Sequence, residues 1–409
     1  MRAACVRSVG VGLEPRLTRR RLLATGALAA ASVAAPTSGK AAEWLIGRRP
    51  RLPAPSRSGL DHIVVVTMEN RSFDHLLGWL PHANGRQSGL EYRDRSGAAH
   101  ATYPLAPDFT GCGHPNPDHS HAGGLVEYNH GACDGFLRSA DNLFAIGYYR
   151  REDLAFFGHA APAWTVCDAY FPALLAPTLP NRMFLSAGDA DRLENNDNLA
   201  TLPTIWDRLA ARRISHAYYT GTALNDTVLS NWGDKYSRII HPLSGFFDAC
   251  STGKLPHVAY VDPEGPVVAV DDQPPGDVRA GERFLATVYR AVTSSPAWAR
   301  TLLIVNFDEW GGFFDHVPPP PAQDERPDYR LRGFRVPCLL ISPFARRRSV
   351  SHTLFDHASV LKLIEWRFSL APLSRRVTTA NNLALALDFS RRRLSAPSIR
   401  VPAMPHPSC

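Results

Sequence analysis

Two apolar runs in this chain stop at acids. Ile63-Val64-Val65-Val66-Thr67-Met68 is followed by Glu69-Asn70, and Leu302-Leu303-Ile304-Val305-Asn306-Phe307 by Asp308-Glu309. Each run has the length and branched residues of a buried strand. Strand ends that deliver a carboxylate–amide pair and a carboxylate pair to one sheet edge offer oxygen ligands for a divalent cation. Either pair alone is ordinary turn chemistry; the two together favour a shared site. Gly311-Gly312 allows a tight turn that returns Asp315 and His316 toward it.

A third segment, Ala176-Pro177-Thr178-Leu179-Pro180-Asn181-Arg182, reads as a helix start, with Thr178 at the N-cap and Pro180 in the first turn. A hydroxyl there sits where free backbone N–H groups and the helix dipole attract an anion such as phosphate. A metal beside it would favour the alkoxide and make Thr178 a nucleophile. Histidines supply the remaining chemistry: His119, His121, His130 and His316 all fall in predicted loops. The spacing of His119 and His121 invites a zinc reading, although a surface role accounts for any one of them alone. Asp356-His357 precedes a strong helical pattern and reads as a cap beside a packed histidine.

These groups need a frame. Strands are predicted over 63–68, 215–219, 257–261, 302–307 and 338–341, and helices over 202–212, 278–294 and 358–368. Apolar strands separated by helices predict an α/β fold whose mostly parallel central sheet is covered on both faces. In such sheets ligands collect at the carboxyl ends of the strands. Residues 81–160 are expected to form long loop insertions at one edge. The expected organisation is an export signal over 1–42, a proline-bearing linker over 43–60, a catalytic domain over 61–390 and an irregular tail over 391–409.

The first segment carries Thr18-Arg19-Arg20-Arg21-Leu22-Leu23 ahead of an apolar run to Ala35, the pattern of a twin-arginine signal. The implied partner is the twin-arginine export machinery, and the implied location is secreted or associated with the cell envelope. Cleavage after Ala34, Ala35 or Ala42 fits equally. Residues 1–42 hold seven of the 45 Lys and Arg and one of the 38 acids, so most of the formal charge of +7 belongs there. The remainder is close to neutral, which removes the main support for nucleic-acid binding. No later segment has the length and apolarity of a transmembrane helix. Six cysteines follow Cys5 without a CxxC spacing, and Cys112–Cys133 is the expected loop-closing disulfide.

In order along the chain stand MENRSFDH (Met68–His75), Asp118-His119 with NHGACDGF (Asn129–Phe136), PTLPNR (Pro177–Arg182) and NFDEWGGFFDHVPPP (Asn306–Pro320). With weaker matches at Cys338–Phe344 and Phe355–Glu365, they resemble the phosphoesterase family of bacterial phospholipases C and acid phosphatases, within the alkaline phosphatase superfamily. The resemblance implies an alkaline-phosphatase-like three-layer sandwich. It also implies one divalent metal ion, of unspecified identity, held by Glu69, Asn70, Thr178, Asp308 and Glu309. Thr178 takes the place of a transiently phosphorylated nucleophile, and His119 and His316 match histidines near the transferred phosphoryl group. The implied substrate is a phosphate mono- or diester, phospholipids among the candidates.

One departure stands out. Gln273, in Asp271-Asp272-Gln273-Pro274-Pro275, occupies a position where many relatives carry histidine, and an amide transfers no proton at neutral pH. It favours the alternative of a catalytically weak or inactive exported binding protein. Thr178–Arg182 also has the T-x-P-x-R form of a sulfatase signature, but oxidising threonine gives a ketone instead of the formylglycine aldehyde.

Overall fold

The computed structural model describes residues 52–221, 227–263 and 270–405. The expected export signal, the first half of the linker (43–51) and the end of the tail lie outside the described residues. Eight strands build the central sheet: β1 His62–Met68, β2 Thr165–Cys167, β3 His216–Thr220, β4 Ile240–Pro242, β5 Val258–Val261, β6 Thr301–Phe307, β7 Cys338–Ile341 and β8 Ser349–Ser351. Their order is β8-β2-β7-β6-β1-β5-β3-β4, and β7 alone runs antiparallel to its neighbours.

The predicted α/β architecture therefore forms, and each predicted strand occurs within one residue of its expected bounds. β1 and β6 lie side by side, with Ile63 opposite Leu302 and Met68 opposite Phe307. Every residue of β6 is buried, and all of β1 after His62. Burial on both faces is what a parallel sheet between two helical layers produces. The equal register makes both strands end together, so Glu69 and Asp308 emerge as neighbours; the Asp308 N–H donates to Met68 O at 3.0 Å.

Six helices matter for the site: α1 Phe73–Leu77, α2 His121–Tyr128, α3 Thr178–Ala187, α4 Ile205–Ala211, α5 Val278–Thr293 and α6 His357–Phe368. α4 begins three residues later than its apolar pattern suggested, because Thr204 and Asp207 form a capping box. α5 buries Val278, Phe284, Leu285, Val288 and Val292, a stripe at helical spacing. α6 starts as expected: Asp356 caps it and His357 is packed, its Nε2 donating to Phe307 O at 3.1 Å. Burial pushes the His357 pKa down to about 4. The long insertions supply α2 and the loop before it, which carries His119.

The expected Cys112–Cys133 bridge does not form. Cys133 is a free, buried thiol whose pKa burial pushes up to about 12, while Cys112 is disulfide-bonded. Among the described residues no helix is long and apolar enough to cross a membrane.

Candidate active site

The carboxyl ends of β1, β5 and β6 bring Glu69, Asp262 and Asp308 around one guanidinium. Arg182, on α3, donates through Nε to Asp308 Oδ2 (3.1 Å), through one terminal nitrogen to Asp262 Oδ2 (2.8 Å) and through the other to Glu69 Oε1 (2.9 Å). All four side chains are buried or nearly so. Burial opposes the charge of Arg182, yet the carboxylates of Asp262, Asp308 and Glu69 outweigh it and hold its pKa well above the ordinary value. Neither Arg182 as a clamp nor Asp262 was among the sequence candidates. The signal existed, since Asp262 directly follows the strand predicted over 257–261, a third acidic strand end.

One guanidinium does not neutralise this edge. Glu309 is fully buried, and burial followed by Asp308, Glu69 and Glu127 pushes its pKa well up. Its Oε2 accepts from the Gly311 N–H at 2.6 Å, while Oε1 is buried with no hydrogen-bond donor among the described residues. Asn70 shows the same pattern. Its backbone is left-handed (φ 61°), and Gly311 packs so tightly on it that a Cβ there would lie 2.1 Å from Asn70 O. Asn70 Nδ2 donates to His119 Nε2 at 3.2 Å, because His119 Nδ1 is committed as donor to Pro117 O at 2.8 Å. That bond fixes the amide, leaving Asn70 Oδ1 buried and without a donor among the described residues. Two orphaned acceptors amid surplus carboxylates fit a cation held by Glu69, Asn70, Asp308 and Glu309.

Thr178 is the first residue of α3, not its cap; Pro177 occupies the cap position, and it has no side-chain donor or acceptor. Thr178 lies one turn before Arg182, on the helix face that meets Glu69 and Asp308. Among the described residues its hydroxyl makes no hydrogen bond.

His316 is held in a separate network. Its Nδ1 pairs with Asp74 Oδ2 at 2.5 Å and its Nε2 meets Asn84 Oδ1 at 3.2 Å. Asp74, Asp315 and His316 have the spacing of a metal-binding triad, but Arg335 already bridges the two carboxylates at 2.9–3.1 Å. The Gly311-Gly312 turn thus delivers Asp315 and His316 to the start of α1, and no hydrogen bond among the described residues ties them to Glu69 or Glu309. His121 is also structural, its Nδ1 donating to Leu175 O at 2.5 Å. Gln273 is half-buried, with its N–H on Asp271 Oδ1 at 3.1 Å.

Glu127, on α2, supports the site from behind: it accepts from Trp310 Nε1 at 2.7 Å and from Ser139 Oγ at 3.1 Å. Burial raises its pKa from an ordinary 4.5 to about 8. Between those values the unfolded chain releases a proton that the folded chain keeps, so stability falls as pH rises. Glu127→Gln still accepts from Trp310 Nε1 and turns its amide N–H to the Ser139 oxygen, which can donate to Phe136 O, without the titration. It should flatten the fall by about 1.4 kcal/mol per pH unit in that window. Denaturant unfolding of parent and variant at several pH values checks this; equal slopes would refute it.

Comparison with known proteins follows the same residues. The Phosphoesterase family model matches residues 60–371. Phospholipase C A of Mycobacterium tuberculosis is 30% identical over 436 aligned positions, covering 86% of this chain and 83% of that protein. Non-specific phospholipase C3 of Arabidopsis thaliana is 28% identical, covering 86% and 77%. A solved structure of a protein in the alkaline phosphatase superfamily from Vibrio parahaemolyticus aligns with a TM-score of 0.42 at 10% identity, over 82% of this chain and 73% of that one.

Proposed function

The chain belongs to the phosphoesterase family, and on that premise we propose that it is an exported, metal-dependent phosphoric ester hydrolase that works through Thr178. Residues 1–42 would be the export signal and 61–390 the catalytic domain. The observation that carries the reading is the pair of orphaned acceptors, Asn70 Oδ1 and Glu309 Oε1, at the shared ends of β1 and β6. Glu69, Asn70, Asp308 and Glu309, with the Thr178 hydroxyl, would hold one divalent cation. When bound, that ion would neutralise phosphoryl charge and lower the cost of ionising the hydroxyl.

The chain's own residues then carry the reaction. The Thr178 oxygen forms a bond to phosphorus as the ester bond to the alcohol breaks. The Thr178 proton passes to His119 Nε2, where the ring proton on Nδ1 against Pro117 O leaves a lone pair that Asn70 Nδ2 would give up in the same step. The departing oxygen takes a proton from water. The hydroxide left by that water then attacks phosphorus and splits the phosphothreonine, while His119 returns its proton to the Thr178 oxygen. At the start of α3 the Leu179 N–H is taken by Asn195 Oδ1 at 2.8 Å and Pro180 has none, so the Thr178 N–H is the donor that would face a phosphoryl oxygen. This division of labour needs no proton transfer at Gln273, and it leaves His316 as a group braced by Asp74.

Recognition of a quaternary amine by Trp310 and Tyr170 is not supported, since both are fully buried and hydrogen-bonded, to Glu127 and Asn306. The cavity beside Asp262, lined by Trp206, Tyr218, Trp232 and Tyr260, is about 20 Å³, room for water only. Purified protein should hydrolyse aryl phosphate mono- or diesters and lose about a hundredfold or more of that turnover on chelation, with recovery on adding a divalent cation. Unchanged turnover after chelation would overturn the metal assignment. Faster hydrolysis of an aryl sulfate than of the matching phosphate would favour the sulfatase-like alternative.

A further inference from the structure

Two arginine triplets that the catalytic reading leaves unused meet on one face. Arg346-Arg347-Arg348 follows β7, and Arg391-Arg392-Arg393 follows Ser390. Because β7 is antiparallel, its end lies where the parallel strands begin: Ile341 pairs with Leu303, and Ser342 Oγ donates to Thr301 O at 2.8 Å. The Thr165 hydroxyl, at the start of β2, donates to Arg346 O at 2.5 Å. The second triplet is tied to the first, with Arg393 N–H donating to Pro343 O at 2.8 Å and Arg347 donating to Ser395 O at 2.5 Å. Both therefore occupy the sheet edge opposite Glu69 and Asp308.

This face is strongly cationic and only partly compensated: Asp388, whose carboxylate is bonded to Ser390, feels Arg346 and Arg391. All of the six arginines except Arg347 are exposed, and none forms an ion pair with a carboxylate among the described residues. Residues 338–355 and 389–405 contain no Asp or Glu. Arg347, Arg348 and Arg393 line an open groove of about 610 Å³ with Ser395 and Pro397. Leu394 stands 54% exposed between Arg393 and Ser395, its backbone pinned by Trp298 Nε1 on its carbonyl at 2.7 Å.

We propose that this face docks on an anionic phospholipid surface. Six guanidiniums against one nearby carboxylate, none of them ion-paired among the described residues, suit lipid phosphates, and a leucine presented among them suits the headgroup–acyl boundary. A soluble polyanion would satisfy the arginines but give the leucine no role. Docked this way, the chain turns its catalytic edge away from the membrane, toward substrates arriving from solvent or from an apposed bilayer. The inference does not depend on the catalytic reading, because its test reads binding.

The full-length chain, with chelator present, would be sedimented with vesicles of phosphatidylcholine alone or mixed with phosphatidylglycerol. Binding is expected only to the mixed vesicles. R346E/R391E/R392E should weaken it about a hundredfold, and Leu394→Ser about tenfold. Neither variant touches the catalytic edge, so turnover of a soluble aryl phosphate and the unfolding midpoint should match the parent. Equal binding by parent and triple variant would overturn the proposal. So would persistence of binding in about 1 M salt, where surface charges are screened within roughly 3 Å. Loss of heparin or polyphosphate binding in the triple variant, with no effect of Leu394→Ser on vesicles, would identify a soluble-polyanion site and overturn it too.

Discussion

Thr178→Ala is expected to lower phosphoester turnover by about a thousandfold or more while leaving the fold intact. That loss corresponds to about 4 kcal/mol of transition-state stabilisation. Stability should barely change, because the side chain is half-buried at the first position of α3 and makes no hydrogen bond among the described residues. The same position makes the hydroxyl a good nucleophile. One turn along, Arg182 pins this helix face to Glu69 and Asp308, so the oxygen is held by the backbone without rotamer-specific support. Thr178→Ser should keep measurable turnover, since it retains the oxygen and loses only a methyl group. Steady-state rates on one aryl phosphate, beside thermal unfolding, separate chemistry from folding. Near-normal turnover in the alanine variant would pass the attack to water and end the phosphothreonine reading. Mass analysis of acid-quenched parent enzyme adds a second check, because the modification must map to Thr178.

The frame of this site was readable because its strands are long, β-branched and wholly buried. β1 and β6 stop at acids, and their common register follows from being parallel neighbours, so Glu69-Asn70 and Asp308-Glu309 could be paired before any coordinates. β2, β4 and β8 span three residues each, too few for a period to show. The errors share a cause: a local motif has more than one tertiary use. Thr178 before Pro180 satisfies cap statistics, yet the cap falls one residue earlier, at Pro177, and the helix starts at Thr178. Asp315-His316 follows a Gly-Gly turn, but Arg335 and Asp74 capture it from elements far away in sequence. A Cys112–Cys133 pairing looked natural by spacing, while the fold buries Cys133 as a thiol. Arg182 was visible as part of PTLPNR; its three carboxylate partners come from three strand ends and could not be inferred from that motif alone.

Arg182→Met should destabilise the protein by about 3–5 kcal/mol, because it strands buried carboxylates without their cation. Glu69 and Asp308 each lose a direct partner, and burial already raises both pKa values before any mutation. Among the described residues, Asp262 keeps only hydroxyl donors, from Tyr218 and Thr227. The deficit must therefore depend on pH. Removing the guanidinium raises the folded-state pKa values of these acids further above their unfolded values. Protonation at low pH relieves the repulsion in the folded state, so the gap between variant and parent narrows toward about pH 5 and widens toward about pH 8. It must also depend on divalent ions. A cation bound at Glu69, Asn70, Asp308 and Glu309 replaces part of the lost charge, so millimolar additions should raise the variant's unfolding midpoint more than the parent's. Arg182→Lys should fall between the two, since a single ammonium cannot span carboxylates that the guanidinium meets with three separate nitrogens. Denaturant unfolding at both pH values, with and without the ion, reads all of these effects without any assay of activity. A deficit that ignores both pH and divalent cation would mean that Arg182 acts by packing alone, and that these carboxylates are already neutral in the folded protein.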